Sequence, residues 1–453
     1  MSEHKKNLID GKWVEGEGGE LEVRSPYDGT LVGTVTLCTD KQFEGAITSS
    51  HRAFLSFKKM PSYKRAELLR SLMRVMESRS EEFARTISME AGKPINDARR
   101  EVARSINTVL IASEEATRIT GELLPLDVMA GAEGRSGIVR RFPVGVVLGI
   151  APFNFPLNLV CHKVAPAIAA GCPIIIKPAS ATPLTSILLG EAACEAGWPP
   201  GLLNIVVSKG SVAGEATKDE RVRKVSFTGS AAVGWNLKRE IPEKGVTLEL
   251  GGNAGVIVDK DTELEFAASR CVLGAFAFAG QVCISVQRIY AHEDIFDEFS
   301  KLLKEKTEAL ISGDPKDEKT QIGPMIDKGS IEATLNMIAE AKKGGATLLT
   351  GGKVEGNILL PTILTGTVPK MDVCREEAFA PIVVLEKFKD FKDAVATVND
   401  SNFGLQAGVF SNDINNVFYA YENIEAGGII AGDVPTFRVD NMPYGGVKQS
   451  GFG

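Results

Sequence analysis

Three side chains in the middle of the chain have the right types for carbonyl chemistry. Cys283 lies in FAFAGQVCISV, residues 276–286, two residues beyond a Gly-Gln pair. A cysteine attacks as its thiolate, and an ordinary thiol titrates near ~8.5, so it needs a lowered pKa or a nearby base. Read alone, Cys283 is either an inert core thiol or a nucleophile. Glu249, in VTLELGGNAG, closes an apolar strand just before two glycines. Desolvation there raises a carboxyl toward the range of a general base, although a structural ion pair fits the same pattern. Asn154, in APFNFPLN, sits on a strand-to-helix turn between two prolines. Its amide is placed to donate to a developing oxyanion, or it is merely a turn residue. His162 is the only histidine near these motifs. It falls inside an apolar helix and reads as packing, which leaves a Cys-His hydrolase poorly supported.

SFTGSAAVG places Gly229 and Ser230 where a strand turns into a helix. Free backbone N–H groups and the helix dipole there suit an anion, although the spacing is not G-x-G-x-x-G and a plain tight turn fits equally well.

These residues need a scaffold, and the whole chain bounds it. At 453 residues the chain implies two or three domains. Its 44% hydrophobic content rules out a mainly disordered protein. The net charge of −7 is spread along the chain without a basic block, which argues against a nucleic-acid partner. The start has no apolar signal core, and no window approaches the ~18 apolar residues that span a membrane. Seven cysteines without a CxxC pair indicate neither a disulfide framework nor a metal site. The expectation is a reduced, cytoplasmic protein.

Residues 59–120 read as long helices, with KRAELLRSLMRVMESRSEEFARTISMEAG running to Gly92 before Lys93-Pro94. A polar, Gly-containing excursion covers 127–145. From 144 strands and helices alternate through VGVVLGIA, CPIIIK, LLNIVV, KVSFT and VTLEL, which predicts an α/β fold with a parallel sheet covered on both faces. Ligands of such sheets bind beyond the carboxyl ends of the strands, where Asn154, Lys177, Ser180, Gly229, Ser230 and Glu249 fall. A second α/β region follows Gly251-Gly252, with a helix expected around 262–279 and a strand at SVQRIYA.

Taken together, PFNFP (152–156), IIKPAS (175–180), FTGSAAVG (227–234), LELGG (248–252), GQVC (280–283), EEAFAP (376–381) and NFGLQAGVF (402–410) resemble the aldehyde dehydrogenase superfamily over almost the whole chain. The resemblance implies a Rossmann-like cofactor domain (1–121 and 144–250), a second α/β catalytic domain (251–446) and an oligomerisation hairpin (122–143). It makes Cys283 the nucleophile and gives the oxyanion to Asn154 and the Cys283 N–H. Glu249 becomes the base that activates the hydrolytic water. It also assigns Lys177 to the adenosine ribose, Gly229 and Ser230 to the pyrophosphate, and Glu377 with Phe379 to the nicotinamide end of NAD or NADP.

Many NAD-preferring members resemble a pattern with Glu three residues after the lysine. Here that residue is Ser180, which with Lys177 leaves room for a 2′-phosphate, so NADP is expected to be accepted and even preferred. Val282 and Ile284 flank the nucleophile as small apolar walls, and Arg438 is a candidate for an anionic substrate tail. Lactaldehyde, glyceraldehyde or its 3-phosphate, and semialdehydes are the expected substrates. The family continues past GGVKQSGFG with a strand that joins a neighbouring subunit, whereas this sequence stops at Gly453. The 122–143 hairpin still favours a homodimer or homotetramer. A CoA-acylating relative is disfavoured because Glu249 is retained. A silent binding protein or a thioesterase on the same fold is disfavoured by the full set of Cys283, Glu249, Asn154, Lys177 and Ser230.

Overall fold

Five apolar strands, Val146–Ile150, Ile174–Lys177, Leu203–Ile205, Val222–Thr228 and Gly245–Glu249, pair in parallel at the heart of one sheet. The computed structural model describes residues 3–453. Eight strands make up this sheet. Its edges are antiparallel: Asn7–Ile9 and Lys12–Val14 on one side, and Gly451–Phe452 against Gly245–Glu249 on the other. Helices such as Asn158–Ala169 and Leu184–Glu195 cover the sheet, as expected for buried parallel strands.

The register aligns Lys177 with Ile150, Ile150 with Phe227, and Thr228 with Glu249. One row of carboxyl ends therefore carries Lys177, the Asn154 turn, Gly229 and Glu249.

A second, seven-stranded sheet is built around Ala254–Val258 and Val286–His292. Cys283 precedes the amino end of Val286–His292, and Gly252 precedes that of Ala254–Val258. The carboxyl edge of the first sheet thus leads through Gly251-Gly252 into the amino edge of the second. A Cβ on Gly252 would collide with the Cys283 carbonyl, so the glycine is what lets these edges approach.

The helical run after residue 59 divides differently from its periodicity. Arg79, at φ −106° and ψ 17°, ends helix Ser62–Ser78 and starts Ser80–Ala91. No proline or glycine marks that break, and apolar spacing continues across it. Gly92 ends the second helix in the left-handed conformation (φ +67°), and Pro94 precedes helix Ile95–Glu115. Between them, Lys93 is 1% exposed.

The Lys93 ammonium pairs with Glu101 and donates to the Asn154 carbonyl at 2.6 Å. It lies 3.8 Å from the Phe155 ring centroid and 4.5 Å from that of Phe278. Glu101 in turn accepts from the Leu157 and Asn158 N–H groups at 3.0 and 3.1 Å, at the start of helix Asn158–Ala169.

The expected helix around 262–279 runs from Leu264 to Phe276. Phe278 (φ 49°), Ala279 (φ 52°) and Gly280 (φ 68°) then turn left-handed, three residues ahead of Cys283. Tertiary contacts, which no local apolar pattern encodes, override helix propensity there.

The excursion forms an antiparallel hairpin of Glu122–Pro125 and Ser136–Val139. It carries exposed apolar side chains, including Leu123 (73%), Ile138 (77%) and, just beyond it, Phe142 (72%).

Replacing Lys93 by Met removes one partner of a buried charge pair, which costs about 3–5 kcal/mol. We expect Lys93→Met to lose stability on that scale in urea denaturation, and Lys93→Met/Glu101→Leu to recover part of the loss.

Candidate active site

Cys283 sits on a loop that is fixed from several sides. The neighbouring Gln281 is fully buried; its Nε2 donates to the Phe278 and Pro324 carbonyls, and its Oε1 accepts from the Ile326 N–H at 2.9 Å. Asn154 Nδ2 donates to the Gln281 carbonyl at 2.9 Å, which joins the turn of the first sheet to the cysteine loop of the second. That bond sets the amide orientation, since a flipped amide would set two oxygens against each other. The second Nδ2 hydrogen remains free to donate. Asn154 Oδ1 is buried without a partner.

The Cys283 thiol is partly exposed and lies 3.4 Å from the Tyr444 hydroxyl. Burial pushes it up to about 11; the Tyr444 hydrogen bond works against this, the Glu377 and Glu249 charges add to it, and Arg438 opposes it. Glu249 is pushed up to about 7 by burial, against the pull of Lys163 and Arg438. Its Oε2 has no hydrogen-bond partner. Such a carboxyl holds its proton near neutrality and is matched to general-base work.

Lys163 lies on helix Asn158–Ala169 and donates to Thr228 Oγ1 at 2.6 Å. Burial lowers its pKa to about 8, while Glu249 works to raise it. Arg438 stacks on Tyr444, its Cζ 3.8 Å from the ring centroid, and its Nε is buried without a partner. The nearby Asp440 is already taken by Arg104 (3.0 Å) and His162 (3.2 Å). Arg438 itself has no carboxylate at ion-pair distance among the described residues. His162, expected to be a packing or surface-edge residue, also helps to occupy Asp440.

Lys177 is 8% exposed; its pKa is lowered by burial, with no carboxylate countering that fall. Ser180 is exposed just beyond it. Ser230 is the N-cap residue of helix Ala231–Glu240, whose first turn holds no acidic residue and whose cap makes no side-chain hydrogen bond. Its leading N–H groups are thus free for an anion. Gly229 has no room for a Cβ, which would come 2.7 Å from the Phe227 ring.

Glu377 accepts from the Gly252 N–H at 2.9 Å and is pushed up to about 7 by burial. Its carboxylate occupies the space that a Cβ on Gly251 would need. Phe379 is left-handed (φ 46°) and meets Phe153 edge-on, with centroids 5.9 Å apart. An open cationic end, an anion-ready helix start and a carboxylate at the far end fit a dinucleotide laid along the strand ends. Val282 keeps part of its surface open, whereas Ile284 is 5% exposed and largely withdrawn into the interior.

The model of the Aldehyde dehydrogenase family matches residues 13–453. The chain belongs to the aldehyde dehydrogenase family. It is an NAD(P)-dependent aldehyde dehydrogenase. It is similar to the 3-sulfolactaldehyde dehydrogenase of Priestia aryabhattai, with 42% identity over 446 residues that cover 98% of this chain and 93% of the relative. Among solved structures it is similar to aldehyde dehydrogenase 21 of Physcomitrella patens in complex with the reaction product succinate: TM-score 0.98, 40% identity, covering 100% of this chain and 94% of that one. It is also similar to the NADP-dependent glyceraldehyde-3-phosphate dehydrogenase of Bacillus halodurans C-125 complexed with NADP: TM-score 0.96, 33% identity, 99% and 95% coverage.

Sequence reasoning missed Tyr444, Lys163, Lys93 and Glu101. For this dehydrogenase the only sequence signal for Lys93 was its place between a helix-ending glycine and a proline. Tyr444 stands near Arg438 in GDVPTFRVDNMPYGG without any pattern that points to the thiol.

Because the folded pKa of Glu249 is raised, its contribution to stability is lost as pH rises through about 7. Glu249→Gln is expected to melt higher than the wild type near pH ~8.5 and about equally near pH ~5, measured by calorimetry.

Proposed function

We propose that the dehydrogenase oxidises a short aldehyde with an anionic or hydroxy-acid tail to the carboxylic acid, through a thioester on Cys283. Cys283 gives up its proton to solvent, its Sγ bonds as thiolate to the aldehyde carbon, and the carbonyl electron pair moves onto oxygen. Asn154 Nδ2 and the Cys283 N–H hold that oxyanion; losing one such donor costs about a hundredfold or more in rate. A nicotinamide held by Lys177, Ser230 and Glu377 would supply the acceptor for the hydride that leaves this carbon. Glu249 then takes a proton from the water that attacks the thioester, the carbon–sulfur bond breaks, and Cys283 leaves as thiolate.

In this reading residues 1–121 with 144–250 bind the cofactor and residues 251–446 carry catalysis. The apolar 122–143 hairpin joins copies into a homodimer or homotetramer. Lys177 and Ser180 hold the adenosine ribose end, Gly229 and Ser230 the pyrophosphate, and Glu377 with Phe379 the nicotinamide end. Val282 lines the substrate's approach, with Ile284 behind it.

The observation that carries the substrate class is Arg438, a half-buried guanidinium beside the Tyr444–Cys283 contact with no ion-pair partner of its own. A carboxylate, sulfonate or phosphate on the aldehyde would supply that partner. Lactaldehyde, glyceraldehyde, its 3-phosphate and semialdehydes remain the candidates, and 3-sulfolactaldehyde joins them through the similar Priestia enzyme.

Reduced nicotinamide, followed by absorbance with a panel of these aldehydes and propanal, should appear with the wild type and vanish with Cys283→Ser. Arg438→Met should raise KM for the anionic aldehydes by about tenfold or more relative to its effect on propanal. An equal loss for propanal would remove Arg438 from tail binding.

NADP acceptance is the second part of the proposal, because Ser180 places no negative charge beside Lys177. Ser180→Glu should lower kcat/KM for NADP by about tenfold or more through repulsion of the 2′-phosphate and leave NAD little changed. Wild-type turnover with NAD and none with NADP would overturn it.

A further inference from the structure

At the root of the 122–143 hairpin lies a cavity of about 890 Å³ lined by none of the candidate catalytic residues. Lys58, Lys59, Arg65, Arg140 and Arg141 line it, and no acidic residue does. None of the five forms an ion pair among the described residues, although this chain carries a net charge of −7. Arg65, the most enclosed, spends one Nη1 hydrogen on the Ala169 carbonyl at 2.6 Å, and its Nε is buried without a partner. Burial lowers the Arg65 pKa with no carboxylate to offset it.

The amino end of helix Ser62–Ser78 opens into the same space through Ser62. That helix has Pro61 at its cap, no side-chain cap bond and no acidic residue in its first turn. Five like charges gathered around one hollow repel one another unless an anion lies between them. Guanidinium forks and free helix N–H groups both favour phosphate oxygens.

We propose that this cavity binds a small soluble anion carrying two or more phosphate groups. The Arg65, Arg140 and Arg141 guanidiniums hold the oxygens, and Lys58 and Lys59 add charge at the rim. The recess favours a small molecule over a flat surface, because Arg65 lies behind the hairpin root, between Ala169 and the residues around Pro143.

The test is calorimetric titration of tripolyphosphate into the full chain saturated with NAD, which fills the cofactor cleft. One saturable site per chain is expected, weakening as salt is added. Arg140→Ser/Arg141→Ser and, separately, Lys58→Ser/Lys59→Ser should each reduce its affinity by about tenfold or more. Absence of a saturable site, or wild-type affinity in both variants, would overturn the proposal. So would binding to vesicles with phosphorylated headgroups but not to tripolyphosphate. Sedimentation of the same samples reads the remaining occupant: if the variants change assembly and tripolyphosphate does not bind, an acidic face of a second copy fills the cavity and the proposal fails.

Discussion

One ammonium group, that of Lys93, touches both loops that build the candidate site. It binds the Asn154 carbonyl, faces the ring of Phe155 in the same turn, and faces Phe278 in the loop that delivers Cys283. Its counter-charge, Glu101, accepts the first N–H groups of the helix that follows the asparagine. A charge buried this deeply is tolerated only with its partners in place, so displacement of either loop would strand it. The same device recurs nearby. Glu90, pushed up to about 7 by burial, accepts from the Leu184 and Thr185 N–H groups at the start of Leu184–Glu195. The helices of residues 62–115 therefore do more than cover the sheet. They supply two buried carboxyls that fix where its flanking helices begin.

The strain in the site follows from that rigidity. Phe278, Ala279 and Phe379 adopt left-handed backbone conformations that cost about 1–2 kcal/mol each for residues with a Cβ. They surround the cysteine loop and the Glu377 segment, where two sheet edges meet with only Gly251 and Gly252 between them. Gly280 completes the turn because a Cβ there would strike the Ala380 carbonyl. Strain of this kind persists only where the surroundings over-determine the backbone. Here the Gln281 side chain, the Asn154 amide and the Lys93 cation–ring contacts do so.

Most of the fold was legible in the sequence because parallel buried strands leave a strong signal. Five short apolar runs separated by helices predicted the central strands, and the row of strand ends followed from topology. The edge strands Asn7–Ile9, Lys12–Val14 and Gly451–Phe452 were not foreseen, since each is two or three residues long and the sheet they join lies far away in sequence for all but the local Asn7–Ile9 and Lys12–Val14 pairing. The break at Arg79 was hidden for a related reason. Arg79 is held by Glu82 and Glu191, the latter over a hundred positions distant, so the stop is tertiary and has no local breaker.

The candidate site divides along the same line. Cys283, Glu249 and Asn154 were picked out by residue type and local pattern, each with an inert alternative, and it was the resemblance of seven motifs in register that assigned their roles. Tyr444, Arg438 and Lys163 act through contacts between separate segments. Arg438 was a free choice between surface and site until its ring contact with Tyr444 and the capture of Asp440 by Arg104 and His162 were seen. These groups also decide the electrostatics. Burial raises the thiol and both glutamates together, and each carboxylate raises the thiol further. Arg438 lowers both Cys283 and Glu249. Arg438, without an ion-pair partner of its own, is thus also a cation that favours the thiolate. An anion docked on it would withdraw part of that help, and the thiol would then be harder to deprotonate.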